Sequence, residues 1–546
     1  MATIYRTKNA SASRLDPWHY QPSFLDAEGK VRSSGRCSYL GEVLDKSRGV
    51  AGGATPLGAE YASSGRVRFY RTADVRNLSI QLDDAVFISD EQDEALARSR
   101  LAKGDMVLTI TGVYFGQTAV VGDRHVPGNI SQHSVRFAVE QVDSHYLVAY
   151  FSSVFGQSVI WRRAYGATRP AIDYPGIQSL LIRLPDSAVQ KYIGDKVRIA
   201  EQLRAFGNEW MNNGRAVVEL VNDGQLSPID LENDQFSWST IVSRLASPHT
   251  AIDAKHDRVD SRLLGDRIDS WYYKPEFVRG DSQLQAIREL GIETPTLESF
   301  ASVSYGFMPT EDYWSPSVGA LFLRVTNIQD HLRLDLSKLE FVNPTLSKAA
   351  RYRLTEDDIV CVQCGNSTGR IALITSRCND WVYPSFALRI RLKDRDWDAA
   401  YVAGYLASWL GQSQIQRTIS ITSVRPNTTK PAIEAVTVPK FPLRTQQLIG
   451  ARLRTAINCV EQSVPLTDAA KLLVEALINS NVKEDELIHA QMRLEQGDNE
   501  LDRAILSRLF EGGMDATETR PLFPDLDAYY ETLRMVKLER SEVFAK

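Results

Sequence analysis

RLDPWHYQPSFL at residues 14–25 returns as RIDSWYYKPEFV at residues 267–278, and the two strings share the order Arg, aliphatic, Asp, Trp, Tyr, Pro, Phe. The offset is 267 − 14 = 253, and it holds outward from there. FYRTADV at 69 falls on FLRVTNI at 322, and LAKGDMVLTITGVYFGQTAVV at 101 falls on LTEDDIVCVQCGNSTGRIALI at 354. Asp105 thereby meets Asp358, Gly112 meets Gly365 and Gly116 meets Gly369. Beyond this the offset drifts by two or three residues, as loop insertions would cause: FGQSVI at 155 matches LGQSQI at 410, and VQKYIG at 189 matches TQQLIG at 445. A unit of about 250 residues present twice is a tandem domain pair, since solenoids and propellers repeat every 20 to 50 residues or so. Two similar domains in one chain suit one ligand engaged twice, or a ligand with two similar ends.

A chain of 546 residues with 43% hydrophobic content gives each copy enough material for its own core. Five cysteines, no signal-like start in MATIYRTKNASASRLD and no apolar run near 18 residues point to a soluble, cytoplasmic protein without a membrane segment. The net charge of −5 gives no overall attraction to nucleic acid, but the charge is unevenly spread. Acidic clusters such as KEDE at 483 and EQGDNE at 495 lie near the end, whereas arginines punctuate the middle of each copy.

Each copy opens with short runs rich in Val and Ile, bounded by Gly, Asp and Asn, which read as strands. These are VRFY at 67, DMVLTITG at 105 and AVVG at 119, then ALFLRVTNI at 320, DIVCVQCG at 358, RIALIT at 370 and FALRIRL at 386. The period then changes. Val189, Ile193, Val197, Ala200, Leu203 and Phe206 recur at steps of three and four, and Leu448, Leu453, Ile457 and Val460 do likewise after Pro442, so each copy ends in a helical arm with one apolar stripe. Gly207 with NNG at 212, and Pro465, predict a break in each arm. An apolar stripe must be buried, and the equivalent arm, lying antiparallel, is the nearest partner. Residues 223–262 are polar and unmatched and read as a linker; 481–546 adds unmatched helical stretches as a C-terminal extension.

The catalytic inventory is thin. The chain has no GxxxxGK[ST], HExxH or GxSxG, and no glycine-rich turn ahead of NPP[YF]; NPTL at 343 reads as a turn. His19, His125 and His133 lack ligand spacing, and Cys361, Cys364 and Cys378 resemble half of a zinc site without a counterpart, since Leu108 and Thr111 stand opposite Cys361 and Cys364 in the first copy. Strand packing is the reading for those cysteines, and no metal is expected.

The glycine pairs Gly112/Gly116 and Gly365/Gly369 mark sharp turns between strands, with Val-Tyr-Phe between them in one copy and Asn-Ser-Thr in the other, followed by Gln117 or Arg370. The framework matches and the tips diverge, as expected if one scaffold reads two targets; Tyr114, Gln117, Asn366, Ser367 and Arg370 are the candidates there. A second place is RRAYGATRPAIDYPG at 162 against RTISITSVRPNTTKPAIE at 417. Arg162, Arg163, Arg169, Arg417, Arg425, Asn427 and Lys430 are residue types able to bond guanine and adenine edges or to reach phosphates. A solvated loop ahead of a helix is the bland alternative.

Taken together, the doubled opening, the doubled GDMVLTITG...GQTAVV and DDIVCVQCG...GRIALI segments, and the long helices opened by LPDSAVQKYI and FPLRTQQLI resemble the specificity subunit of a type I restriction-modification system, or of a closely related methylation-based phage-defence system. The resemblance covers roughly 14–222 and 267–480 and implies an α+β chain with two tandem β-rich target-recognition domains separated by long, broken helical arms that pack antiparallel. Its boundaries are recognition domain 1–186, arm 187–222, linker 223–262, recognition domain 263–442, arm 443–480 and extension 481–546. It also implies that the chain is not itself an enzyme, reads a bipartite site on double-stranded DNA, and directs partner adenine methyltransferase (modification) subunits to it, with a restriction/translocase subunit joining them. The chain would then hold no cofactor, S-adenosylmethionine residing on the methyltransferase partners. Two other classes stay open: a self-sufficient DNA-modifying enzyme, and a tandem binder of a non-nucleic-acid polymer using aromatics such as Tyr114, Phe115, Trp161 and Trp409.

Overall fold

The run at 105 becomes the middle of a four-stranded sheet: Met106–Thr109 lies antiparallel between Ser134–Phe137 and Thr118–Val120, with Ala51–Gly52 at the far edge. All four residues of Met106–Thr109 are buried, and helix Ser144–Ser152 packs on the neighbouring strand. A strand covered on both sides reads as a continuous apolar run rather than an alternating one. The second copy builds the same sheet from Ala301–Tyr305, Ala387–Leu392, Ile359–Val362 and Ile371–Leu373 in the same order. Its register is the same too. Val107 stands opposite Arg136 and Ala119, and Val360 stands opposite Arg389 and Ala372, each displaced by 253.

This computed structural model describes residues 16–222, 270–419 and 425–544, less the short stretches 57–60, 77, 83–84, 167, 310–311, 315–318, 337, 344 and 346–349. The linker at 223–262 and the boundary at 263 lie outside the described residues. The chain forms two compact units: residues 1–203 with 462–546, and residues 204–461. Each unit thus holds one copy of the sheet and a length of both arms.

The doubled opening has a structural purpose in both units. Trp18 donates its indole N–H to the Trp161 carbonyl at 2.9 Å, and Trp271 donates to the Gln416 carbonyl at 3.1 Å. Arg162 Nε reaches the His19 carbonyl at 3.2 Å and Arg417 Nε the Tyr272 carbonyl at 2.9 Å. Together these bonds tie helices Pro22–Ser33 and Pro275–Glu289, both opened by proline at the first turn where no N–H is needed, against Val154–Arg163 and Trp409–Arg417. The aspartates that begin the central strands are held alike. Asp105 takes a two-pronged bond from Arg48 at 2.5 Å, and Asp358 one from Arg391 at 2.6 Å. Arg48 sits outside the regular strands whereas Arg391 is a strand residue, so the ion pair is kept while its arginine comes from a different place.

The arms are unbroken, which corrects the sequence reading. Ser187–Asn222 and Leu443–Ile478 are each one α-helix. Gly207 does not interrupt its arm because it serves packing: in the second unit it faces Ala456, Cys459 and Val460, and Gly214 one heptad later faces Leu453. As residue numbers rise on one helix they fall on the other, so the arms are antiparallel there. Arg452 lies over the Trp210 ring, 4.0 Å from its centroid, and sheathes the same contact. Pro465 removes one backbone donor and is carried inside the helix. Leu448 is exposed, and Ile449, Leu453, Ala456 and Ile457 form the buried face instead.

Equivalent polar bonds join each arm to its sheet domain. Gln190 caps the Asp143 N–H at 3.0 Å while donating to the Pro185 carbonyl, and Gln446 does the same for Asp398 and the Phe441 carbonyl. Arg198 pairs with Asp143 at 2.5 Å, and Arg454 with Asp398 at 2.8 Å. The far end of each arm serves the other copy. Glu475 accepts the Val154 N–H at 2.9 Å in the first unit, and Glu219 accepts the Trp409 N–H at 3.3 Å in the second, each at a helix N-terminus where a carboxylate is favoured. The extension packs on the first unit: Asp502, buried with Lys196 at 2.5 Å, also accepts from the Tyr192 and Tyr530 hydroxyls, and Glu484 pairs with Arg183.

Candidate nucleic-acid interface

Both glycine turns are anchored the same way. Gly112 has φ +90° and Gly116 +82°, Gly365 +104° and Gly369 +91°, a left-handed backbone that favours glycine. The Gly112 N–H donates to the Pro170 carbonyl at 3.3 Å, and the Gly365 N–H to the Pro426 carbonyl at 3.0 Å. On the other side Gln157 donates to the Gly116 carbonyl at 3.0 Å, and Gln412 to the Gly369 carbonyl at 2.9 Å. The repeated GQS and Arg-Pro motifs therefore clamp each turn from two sides, and they set Arg169 and Arg425 beside the turns. The Asp173 and Thr429 side chains cap the short helices that follow.

The tips on these matched clamps differ. In the first unit Val113 protrudes, and Tyr114 carries Arg76, whose guanidinium lies 4.4 Å from the ring centroid and donates to the hydroxyl at 2.6 Å. Arg169 is exposed next to Gly112, with His133 Nε2 at 3.4 Å. Burial, followed by the Arg169 charge, pushes the His133 imidazole below its usual range, so it backs the guanidinium as a neutral ring. Gln117 is half-buried at the base of the turn. Arg76 was missed by sequence reasoning, although it directly follows the repeated FYRTADV string; its only signal was being a positive side chain on a two-residue strand.

In the second unit Asn366 is exposed at the tip, Ser367 is half-buried, and Arg370 pairs with Asp330 at 2.8 Å. Arg425 is exposed, Asn427 bridges to Cys364 through its backbone, and Lys430 opens helix Lys430–Glu434 with Glu434 at 3.5 Å. Phe386, at the position that corresponds to His133, is 42% exposed, with Met308 and Tyr305 also exposed, so an apolar surface takes the place of the histidine.

Three candidates belong to the scaffold instead. Arg162 and Arg163 both turn inward to the buried Glu28, and Arg417 pairs with Asp281 at 2.7 Å while lying 3.8 Å from the Tyr272 ring centroid. Their side chains are only 12–14% exposed, so the loop's basic character overstates its reach. Burial works to raise the Glu28 carboxyl, and Arg163 and Arg162 override it, holding it below the usual range. Phe115 is buried edge-on against Trp161 at 4.9 Å, and Trp409 is half-buried under Arg279, so these rings are packing elements. Cys361 and Cys378 are buried in the second unit, and among the described residues no three His, Cys, Asp or Glu side chains gather as metal ligands. His19 and His125 are engaged with backbone groups, and Asn343 of NPTL accepts the Thr345 N–H at 2.9 Å as a turn does.

No family model matches the sequence, and no curated protein matches it. Solved structures do. The chain is similar to type I restriction-modification S subunits. The S subunit from M. genitalium aligns over 82% of this chain and 96% of its own at 10% identity, with a TM-score of 0.39. The HsdS subunit from Thermoanaerobacter tengcongensis aligns over 82% and 97% at 14% identity, with a TM-score of 0.25. The type IIG restriction endonuclease BpuSI aligns over 38% of this chain and 33% of its own at 11% identity, with a TM-score of 0.26. Among the described residues no helix is long and apolar enough to cross a membrane.

Proposed function

We propose that this chain is the DNA-recognition subunit of a type I restriction-modification system or of a related methylation-based defence system. Each unit would read one half of a bipartite duplex site, and partner methyltransferase subunits carrying S-adenosylmethionine, with a restriction or translocase subunit, would supply the chemistry. One observation carries the reading: two atom-for-atom equivalent clamps, Gly112 on Pro170 and Gly365 on Pro426, present arginines beside turns whose tips are different. A common clamp with divergent tips suits a ligand whose backbone repeats and whose side groups vary, which describes duplex DNA. In this reading Arg169 and Arg425 would reach phosphates or guanine edges, and Asn366 an adenine edge. The alternative of a non-nucleic-acid polymer such as a glycan loses part of its aromatic platform, because Phe115 and Trp161 pack on one another.

The test is selection of duplexes from a random pool by the full chain together with co-expressed methyltransferase subunits, at two salt concentrations. Two enriched blocks at a constant gap, with affinity falling steeply in salt, support the reading; phosphate contacts release counterions and glycan contacts do not. No enriched duplex, or tight stoichiometric S-adenosylmethionine binding to the chain alone, overturns it.

A further inference from the structure

Val113 is 96% exposed at the tip of the first turn, yet it is not on a loose loop. Phe115 N–H bonds to the Gly112 carbonyl at 3.1 Å, Gly116 N–H to the Thr109 carbonyl at 2.9 Å, and Thr109 Oγ1 to the Tyr114 carbonyl. With the Phe115 ring buried and Gln157 and Pro170 holding both glycines, the backbone that carries the isopropyl group is fixed at both ends of the turn. Single exposed apolar side chains are ordinary on a surface. The two chain neighbours of Val113 each lie against a guanidinium: Arg76 stacks on Tyr114, and a Cβ built on Gly112 would lie 3.7 Å from Arg169 Nε. At the matching position the other unit carries Asn366, exposed and with no hydrogen bond to any described residue. The scaffold thus offers an apolar knob in one unit and a donor–acceptor amide in the other.

We propose that Val113 is a specificity-determining residue that packs against the C5-methyl group of a thymine in the first half-site; this rests on the DNA-recognition reading above. An exposed apolar group whose chain neighbours each carry a cation suits an apolar feature that lies close to phosphates. In duplex DNA the major groove provides one, the thymine methyl, and the minor groove provides none. Arg76 and Arg169 then hold the phosphates and fix the register without reading sequence. Asn366 reads by hydrogen bonding, so the dependence on a methyl group is confined to the half-site of the first unit.

The experiment uses the full chain with its methyltransferase partners and the duplex enriched by selection. Each thymine is replaced in turn by deoxyuridine, which removes the methyl group and keeps every hydrogen bond. One position in the half-site read by the first unit should lose about 3- to 10-fold in affinity, and that loss should vanish in Val113→Ser while persisting in Asn366→Ser. Val113 is solvent-exposed, so the substitution leaves the core intact, and an unchanged melting temperature checks this. Deoxyuridine tolerance at every thymine, or an equal deoxyuridine penalty in Val113→Ser, overturns the proposal while leaving DNA recognition standing. Equal weakening of Val113→Ser on methylated and demethylated duplexes, with unstacking seen by 2-aminopurine fluorescence, makes Val113 a wedge and also overturns it. Absence of any enriched duplex removes the underlying reading instead.

Discussion

Gly207 and Ala456 stand so close that a Cβ built on Gly207 would lie 2.7 Å from the Ala456 carbonyl oxygen, with Val460 Cγ2 at the same distance. Helix propensity alone favours Gly207→Ala by about 0.5–1 kcal/mol, but overpacking against a backbone oxygen costs about 1–3 kcal/mol. The variant should therefore melt lower. Gly29, in helix Pro22–Ser33 with no heavy atom within 4 Å of the place its Cβ would take, is the control: Gly29→Ala should melt higher by the propensity term. A stabilised Gly207→Ala in differential scanning calorimetry would mean that the arms part without cost.

Lys196 and Asp502 form a fully buried pair, each side chain 2% exposed. Lys196→Met leaves the carboxylate without its cation and should cost about 3–5 kcal/mol, while Lys196→Met with Asp502→Leu should recover most of that. Burial works to raise the Asp502 carboxyl, and Lys196 with the Tyr192 and Tyr530 hydroxyls overrides it, leaving it below the usual range. Because the folded value is the lower one, the stability it contributes is present above the unfolded value of about 3.9 and is lost as pH falls through the folded one. Denaturant unfolding against pH should show that acid loss in the wild type, and Asp502→Asn should lack it.

Glu461 has the opposite sign. Burial raises its carboxyl above the usual range, with Arg377 and the Thr375 hydroxyl opposing. The folded value exceeds the unfolded one of about 4.3, so its stabilisation is complete below that pH and declines as pH rises through the folded value. Glu461→Gln should remove this decline and leave the melting temperature at neutral pH equal to or above that of the wild type. A variant that falls sharply at neutral pH would show that the carboxylate form is the one the fold needs.

The arginines should separate into two groups. Arg425→Ala should relax specificity in the half-site of the second unit, by about 1–3 kcal/mol at a base-contacting position, whereas Arg169→Ala should weaken binding about evenly across sequences, both with the melting temperature unchanged. Arg163→Ala and Arg417→Ala should lower the melting temperature instead, because buried Glu28 loses one of its cations and Arg417 loses its packing on the Tyr272 ring and its bond to the Tyr272 carbonyl. Binding selection run beside thermal unfolding checks both. An Arg163→Ala variant with native stability and altered specificity would reverse the assignment.

The sequence by itself determined the duplication, the mixed strand and helix class and the positions of several strands, though not Ala51–Gly52, Ser134–Phe137 or Ala301–Tyr305, since what it determined rests on local patterns: a repeated string, short Val- and Ile-rich runs bounded by turn formers, and a period of three to four. It misjudged the arms, because Gly207 and Pro465 read locally as breaks, whereas only a neighbouring helix reveals that a glycine is there to admit Ala456 and Val460. It also grouped Arg162, Arg163 and Arg417 with Arg169 and Arg425, since residue type shows what a side chain can bond and not which way it points. The ion partners that turn the first three inward, Glu28 and Asp281, lie about 135 residues away in sequence. Arg76 became a candidate through tertiary structure alone, and within the divergent Val-Tyr-Phe tip only the structure set Val113 apart, because a stack on Tyr114 and an exposed side chain are properties of a folded surface that no spacing encodes.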